Sequence, residues 1–498
     1  MIYQNPVIRG FYPDPSVCHA NDKYYLVCSS MQYFPSVPLF ESEDLVNWTQ
    51  IGHCLTRPEQ IALHGVNSSG GVFAPSIRFH EGRFYMTTTN ATTNQNFFVW
   101  TDDIYGEWSN PILIDQDGID PSLYFEKGIS YFMSNGTDAA GISGIVQCEI
   151  DITTGEKLSP GKTIWQGSGG RYLEGPHLYK IKDFYYLVAA EGGTEYGHMV
   201  TYARSTSPYG PFEAYPGNPV LTNRNLGGFQ IQGVGHGDLI EAPDGSFWML
   251  HLGFRQTGQW TTFHHLGREV FVSPVKFQDD GWFTAGIDGT TPAYVNIPFV
   301  KKEQIFQTVY TLNNTDFEKD WCYLRHPSRE NYSLSQSQIT LSGNTISLDQ
   351  VDSPTFIGLR QKEFCCRIAC DVEIDRGEAG ITLYMDENHH YDVAISKYPE
   401  GFRVIERICI GNIKSIEAEY SLGHSNHASI RIASNSQEYR FYVKLENHDI
   451  FLGTGITRYL SSEVAGGFTG VIIGLYAFDP NSVNTAKFSN FECEYLHE

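Results

Sequence analysis

Three short stretches set a carboxylate beside a proline and then run into an apolar segment. They are Tyr12-Pro13-Asp14-Pro15-Ser16, Ile119-Asp120-Pro121-Ser122 and Leu173-Glu174-Gly175-Pro176-His177. Phe73-Ala74-Pro75-Ser76-Ile77 and Gly235-His236-Gly237-Asp238-Leu239 fit the same slot without a carboxylate at the key position. A single Asp-Pro-Ser is most simply an Asx-type turn cap. Three at matching positions of a repeat imply a cluster. Paired carboxyls can cleave an acetal: one protonates the leaving oxygen and the other takes a proton from water. The acid must stay protonated near neutral pH, and a third carboxylate nearby raises its pKa by like-charge repulsion. Asp14, short and held back by Pro13, suits the water-activating base. Glu174 is one methylene longer and starts one residue earlier in its motif, which suits the proton donor. Asp120 lies between them and suits the tuning role.

The elements that must bring these residues together form a repeat. Each motif opens a leading strand, followed by a polar turn and an aromatic strand. The turns Asn21-Asp22-Lys23, Glu81-Gly82-Arg83, Glu126-Lys127-Gly128, Ile181-Lys182-Asp183 and Pro243-Asp244-Gly245 mark the five units. Outer strands have their own echo in Asp44-Leu45-Val46-Asn47-Trp48, Tyr105-Gly106-Glu107-Trp108 and Tyr209-Gly210-Pro211-Phe212. Five consecutive units predict a five-bladed β-propeller with the leading strands meeting at its axis. The repeat ends after Trp282-Phe283. From Phe299 the chain reads as short alternating strands, as in Ile430-Arg431-Ile432 and Tyr439-Arg440-Phe441-Tyr442-Val443, which predicts a jelly-roll-like β-sandwich. The expected all-β organisation is a catalytic propeller over 1–298 and a sandwich over 299–498 packing on it. No amphipathic helix of any length is expected.

Composition narrows the partners. The chain has 498 residues, which suits two domains, and 34 basic against 57 acidic residues give a net charge of -23. That balance argues against nucleic acid or an anionic membrane as partner. No apolar run reaches the ~20 residues of a membrane helix. The start, Met1-Ile2-Tyr3-Gln4-Asn5-Pro6, has neither the basic region nor the apolar core of a signal peptide, so a cytoplasmic protein is expected. The ten Cys read as buried thiols, and no Cys/His spacing matches a zinc motif.

As a set the motifs resemble glycoside hydrolase family 43, inverting five-bladed propellers that act on xylan and arabinan. The resemblance rests on Asn5-Pro6-Val7, Gly10 to Ser16, Gly71-Val72-Phe73-Ala74-Pro75, Gly118 to Leu123, Glu174 to Tyr179, Gly235-His236-Gly237 and Leu266-Gly267-Arg268-Glu269. It implies that Asp14 is the general base, Asp120 the pKa modulator and Glu174 the general acid. Arg268 matches an arginine that binds hydroxyls of the terminal sugar; its plain alternative is an ion pair with Glu269. His236 would orient groups in the pocket or hold water around a calcium ion, as a structural ion only, since the acid–base scheme requires no cofactor.

The second region is similar to the C-terminal sandwich of the β-xylosidase branch, through Gly380-Ile381-Thr382-Leu383-Tyr384 and Gly467-Phe468-Thr469-Gly470. Tyr33, Phe34 and Phe73 are expected to wall the sugar site, with Thr194 a further contact. Met31 and Phe73 stand where the β-xylosidase group often has an aromatic and a Trp, which reshapes the pocket. Phe468 is expected to close the pocket from the sandwich and enforce exo action; its plain alternative is a core Phe. The expected function is release of terminal pentose from xylo-oligosaccharides by a β-1,4-xylosidase. α-L-arabinofuranosidase or dual activity on arabinoxylan or arabinan fragments is the alternative. A non-catalytic carbohydrate-binding propeller is the rival class, and a homo-oligomer is left open.

Overall fold

Turn chemistry shapes each blade first. In the computed structural model, described over residues 1–258, 260–445 and 448–496, the turn residues Asn21, Asp22, Glu81, Gly82, Lys127, Gly128, Lys182 and Gly245 all hold positive φ. That geometry matches the twist of a tight hairpin. The hairpins build five four-stranded antiparallel blades, whose leading strands are Ser16–Ala20, Ser76–His80, Ser122–Glu126, Glu174–Ile181 and Ile231–Glu241.

Apolar wedges join the blades into a ring. Cys18, Val27, Ile77 and Met86 pack between the first and second. Phe98, Leu123 and Phe132 join the second to the third, and Met133, Leu178 and Leu187 the third to the fourth. Val188, Leu239 and Met249 follow, and Val17, Leu26, Leu250 and Val272 close the circle. The N-terminal strand Ile2–Gln4 pairs with Tyr294–Asn296. Asn5 rivets this closure: its Nδ2 donates to Val272 O and Pro292 O at 3.0 Å, and its Oδ1 accepts from Val272 N at 3.0 Å.

Polar groups plug the axis. Asp238 of the fifth blade accepts from Ser16 Oγ at 2.7 Å and Val17 N at 3.0 Å of the first, and pairs with Arg78 of the second at 2.9 Å. Tyr179 of the fourth donates to its other oxygen. Arg78 also meets His177 Nδ1 at 2.8 Å. Burial works against the Asp238 charge, but Arg78 and His177 outweigh it and hold the carboxyl below its usual range.

The second region packs two eight-stranded antiparallel sheets face to face, with a core that includes Trp321, Ile368, Val393, Phe441 and Phe488. Most of the expected strands are present, among them Cys366–Ile374, Glu378–Asp386 and Glu438–Leu445. Ile413–Gly423 was not legible: it is an outer strand with no fully buried residue, so it lacks the apolar alternation that marks a half-buried strand. Among the described residues, helix is confined to single turns such as Ser462–Ala465.

One sandwich sheet ends on a strand lent by the propeller. Tyr33 and Phe34 pair with Leu324 and Tyr323, which covers an edge that would otherwise expose unpaired backbone groups. This pairing corrects the expectation for both aromatics. Each is 0% exposed: Phe34 lies in the core of the first two blades, and Tyr33 in an interdomain cluster with Phe11, Met31, Leu324 and Tyr384. They hold the two domains together and do not wall a sugar site.

The axial plug gives a test by calorimetry. Asp238→Asn leaves Arg78 buried without its counter-charge and should destabilise the protein by about 3 kcal/mol or more. Asp102→Asn, which breaks the exposed pair with Arg83, should leave the melting temperature near wild type. Equal effects would contradict this account of the axis.

Candidate active site

The leading strands enter the axis through a shared backbone kink. Asp14, Asp120, Gly175 and His236 occupy the same place in four blades, and all have left-handed φ, at 56°, 56°, 58° and 49°. Asp tolerates this region better than most residues. In the fourth blade the position belongs to Gly175, where a Cβ would come within 2.8 Å of the His236 ring. The carboxylate therefore moves one place upstream, to Glu174. That is the physical reason for its one-residue offset in the sequence.

Asp14 and Asp120 are buried, and Glu174 is partly exposed at the rim. Asp14 Oδ1 accepts from Arg268 Nη1 at 2.6 Å, and Ser29 Oγ donates to Oδ2. Burial pushes Asp14 up, but Arg268, His236 and the Ser29 hydrogen bond outweigh it, so its pKa is lowered. Glu174 goes the other way. Burial and the charge on Asp14 push it up to about 7, against the opposing pull of Arg268. Asp120 is raised by burial, Glu174 and Asp14, although the Gly175 N–H donates to it. Asp120 and Glu174 titrate as a pair that retains a proton near neutrality while Asp14 is ionised.

The surrounding histidines do not compete for that proton. Burial holds His177 and His198 down at about 3 and lowers His236 as well. His236 Nδ1 lies 4.0 Å from Asp120 Oδ2, and its ring centroid is 6.3 Å from that of His177. This set fits calcium poorly. Imidazoles and the Arg78 guanidinium crowd it, whereas calcium takes six to eight oxygens.

Glu174, Thr194, Arg268, Tyr172, Tyr196 and Phe468 line a cavity of about 510 Å³. Arg268 Nη1 also donates to Thr194 Oγ1 at 2.9 Å, and its Nε has no partner among the described residues. The plain alternative for Arg268 does not hold: Glu269 turns away to Arg255, at 2.8 Å through both oxygens. Phe468 comes from the sandwich and is 40% exposed, so it is not a core residue. Its N–H donates to Ser69 Oγ at 2.8 Å, its ring meets Phe73 edge-on at 6.1 Å, and the Arg268 guanidinium lies 5.7 Å from it. Met31 is buried in the interdomain cluster against which Phe73 packs, so it shapes the wall from behind.

Several neighbours were not found from sequence. Ser29 and His198 have no distinctive spacing. His264 stands just ahead of the Leu266-Gly267-Arg268 motif, a cue that was available. It shares Glu463 of the sandwich with Tyr196, at 2.8 Å each. Glu191 is fully buried and organises the approach to Glu174: it accepts from Ser168 N at 2.7 Å, Gly170 N at 2.5 Å and Thr201 Oγ1 at 2.8 Å.

Comparison with known proteins agrees with this geometry. The profile of glycosyl hydrolases family 43 matches residues 3–283, and that of the beta xylosidase C-terminal concanavalin A-like domain matches 310–494. The chain is 37% identical to a non-reducing end alpha-L-arabinofuranosidase of Bacteroides ovatus, over 99% of this chain and 95% of that one. It is 33% identical to a xylosidase/arabinosidase of Butyrivibrio fibrisolvens, over 100% and 99%. The structure of the Bacteroides ovatus xyloglucan PUL GH43B superposes with a TM-score of 0.94 at 34% identity, each chain fully covered. A xylan beta-1,4-xylosidase of Bacillus halodurans superposes at 0.92 with 28% identity, over 99% of this chain and 100% of that one. The chain belongs to glycosyl hydrolases family 43 and is a glycosidase built from a five-bladed propeller and a C-terminal β-sandwich.

Proposed function

We propose that the enzyme removes one terminal pentose at a time from short xylo-oligosaccharides, with inversion at the anomeric carbon. Glu174 protonates the leaving oxygen, Asp14 activates water, and Asp120 shares the acid's proton and orients it. The observation that carries this reading is the opposite electrostatics of Asp14 and Glu174 around one arginine. Arg268 keeps the base ionised and offers its remaining N–H groups to sugar hydroxyls. Thr194 steadies that guanidinium. Phe73 and Phe468 offer apolar faces to the sugar ring, and the sandwich loop that carries Phe468 caps the cavity, which favours a chain end over an internal unit.

The leading substrate is a terminal β-1,4-xyloside. α-L-arabinofuranosides are the second reading, supported by the 37% identical relative bearing that name. Xylopyranose and arabinofuranose can present similar hydroxyl arrays, so one pocket serves both. Initial rates on the paired nitrophenyl glycosides rank the two.

Leaving-group chemistry tests the acid. Glu174→Ala should lose xylobiose hydrolysis far more severely than nitrophenyl xyloside hydrolysis, because nitrophenolate leaves with little protonation. Equal losses would count against Glu174 as the donor. NMR of the first-formed sugar should show the anomer opposite to the substrate; retention would overturn the water-activating role of Asp14.

The pH profile tests the electrostatics. A raised acid is active while protonated, so kcat/KM should fall as pH rises through about 7. A lowered base is active while ionised, so the acid limb should lie below the usual Asp range. Arg268 pulls all three carboxyls down. Arg268→Met should therefore lower the rate and move both limbs to higher pH, and an unmoved profile would separate Arg268 from the cluster.

A further inference from the structure

A second cluster of reactive side chains lies on the sandwich, outside the sugar cavity. His390 and Cys409 are directly opposed on the neighbouring strands His389–Tyr398 and Gly401–Ile410. Lys414 faces Cys409 from the next strand, Ile413–Gly423. Asp349 reaches over this row from a loop. Leu348, buried in the interdomain cluster, fixes that loop, and Asn344 Nδ2 donates across its base to Ser353 O at 3.2 Å. One ligand atom each from Asp349, His390 and Cys409 lies within 4.8 Å of the others.

We propose that Asp349, His390 and Cys409 bind a zinc ion, with water as the fourth ligand. The donor set is a thiolate, an imidazole and a carboxylate, which suits zinc in tetrahedral coordination. The atoms already face one point. Asp349 Oδ1 is 3.0 Å from His390 Nε2 and 3.9 Å from Cys409 Sγ. Adjacent ligand atoms in a zinc tetrahedron are roughly 3.5 Å apart on ordinary bond lengths, and with all three atoms within 4.8 Å of one another, shifts of up to about an ångström seat the ion.

The outer shell is also built. His390 Nδ1 bonds to Asp392 at 2.9 Å, the carboxylate–histidine arrangement that fixes the ring of a zinc ligand. Asp392 is fully buried and held by Arg407 at 3.2 Å, which is itself clamped by Glu378. Lys414 takes the other oxygen, Asp349 Oδ2, at 2.9 Å and leaves Oδ1 for the metal. His390 and Cys409 are buried, whereas Asp349 is a third exposed and gives the ion its way in. Thiolate and carboxylate charges balance the dication. Binding releases the thiol proton and the one between His390 and Asp349, so affinity rises with pH. The ion would staple the Asp349 loop to the sheet.

Cobalt substitution tests this with a readout independent of glycosidase activity. Chelator-treated enzyme titrated with Co²⁺ should take up one equivalent. It should show thiolate-to-cobalt charge transfer in the near ultraviolet, intense four-coordinate visible bands and displacement by Zn²⁺. Cobalt bound among the carboxylates of the sugar cavity would give no thiolate band. Cys409→Ser should abolish that band while keeping the wild-type circular dichroism, Asp349→Asn should weaken binding at least tenfold, and Zn²⁺ should raise the melting temperature of wild type but not of Cys409→Ser. No thiolate band, or a band that survives in Cys409→Ser, would overturn the proposal and leave a plain ion-pair network around His390.

Discussion

Three carboxyls gathered around one propeller axis, two of them buried and the third at the rim, cannot all carry charge, and their surroundings favour it on Asp14. Arg268 and Ser29 bond to Asp14 directly. Asp120 and Glu174 receive burial and the repulsion of Asp14, and Glu174 repels Asp120 as well. Water would soften this contrast, so the site has to be dry on one side and open only where the sugar enters. The plug of Asp238, Arg78, His177 and Tyr179 seals the far side. Its own charges are paired, so it adds no proton acceptor to the catalytic end.

The sandwich takes part in the site. Phe468 lines the cavity, and Glu463 ties Tyr196 and His264 together across the domain boundary. On the other side the propeller lends the Tyr33–Phe34 strand to a sandwich sheet. The two domains thus exchange pieces, and cavity shape depends on their fixed relation.

Much of this was legible in the sequence because period and turn chemistry are local. The five hairpin turns announced the blades, and the Asp-Pro-Ser stretches announced the axis. The offset of Glu174 was visible as well, but its cause was not: the need for glycine beside the His236 ring exists only once the fourth and fifth blades meet. Tyr33 and Phe34 were misplaced for a similar reason. An aromatic pair near a catalytic motif suggests a sugar platform, and nothing local reveals that its backbone completes a sheet nearly three hundred residues away. The Asp349, His390 and Cys409 cluster escaped motif reading because its ligands come from a loop and two strands, with no short spacing to find.

The central claim is a division of charge: Asp14 ionised, and one proton held by Asp120 and Glu174. Difference infrared spectroscopy at about pH 6, a unit below the raised value of Glu174, reads this directly. Wild type minus Glu174→Gln should show the protonated carboxyl band of Glu174, which the variant lacks. A wild-type spectrum with no protonated carboxyl, or a band untouched by the substitution, would contradict the account.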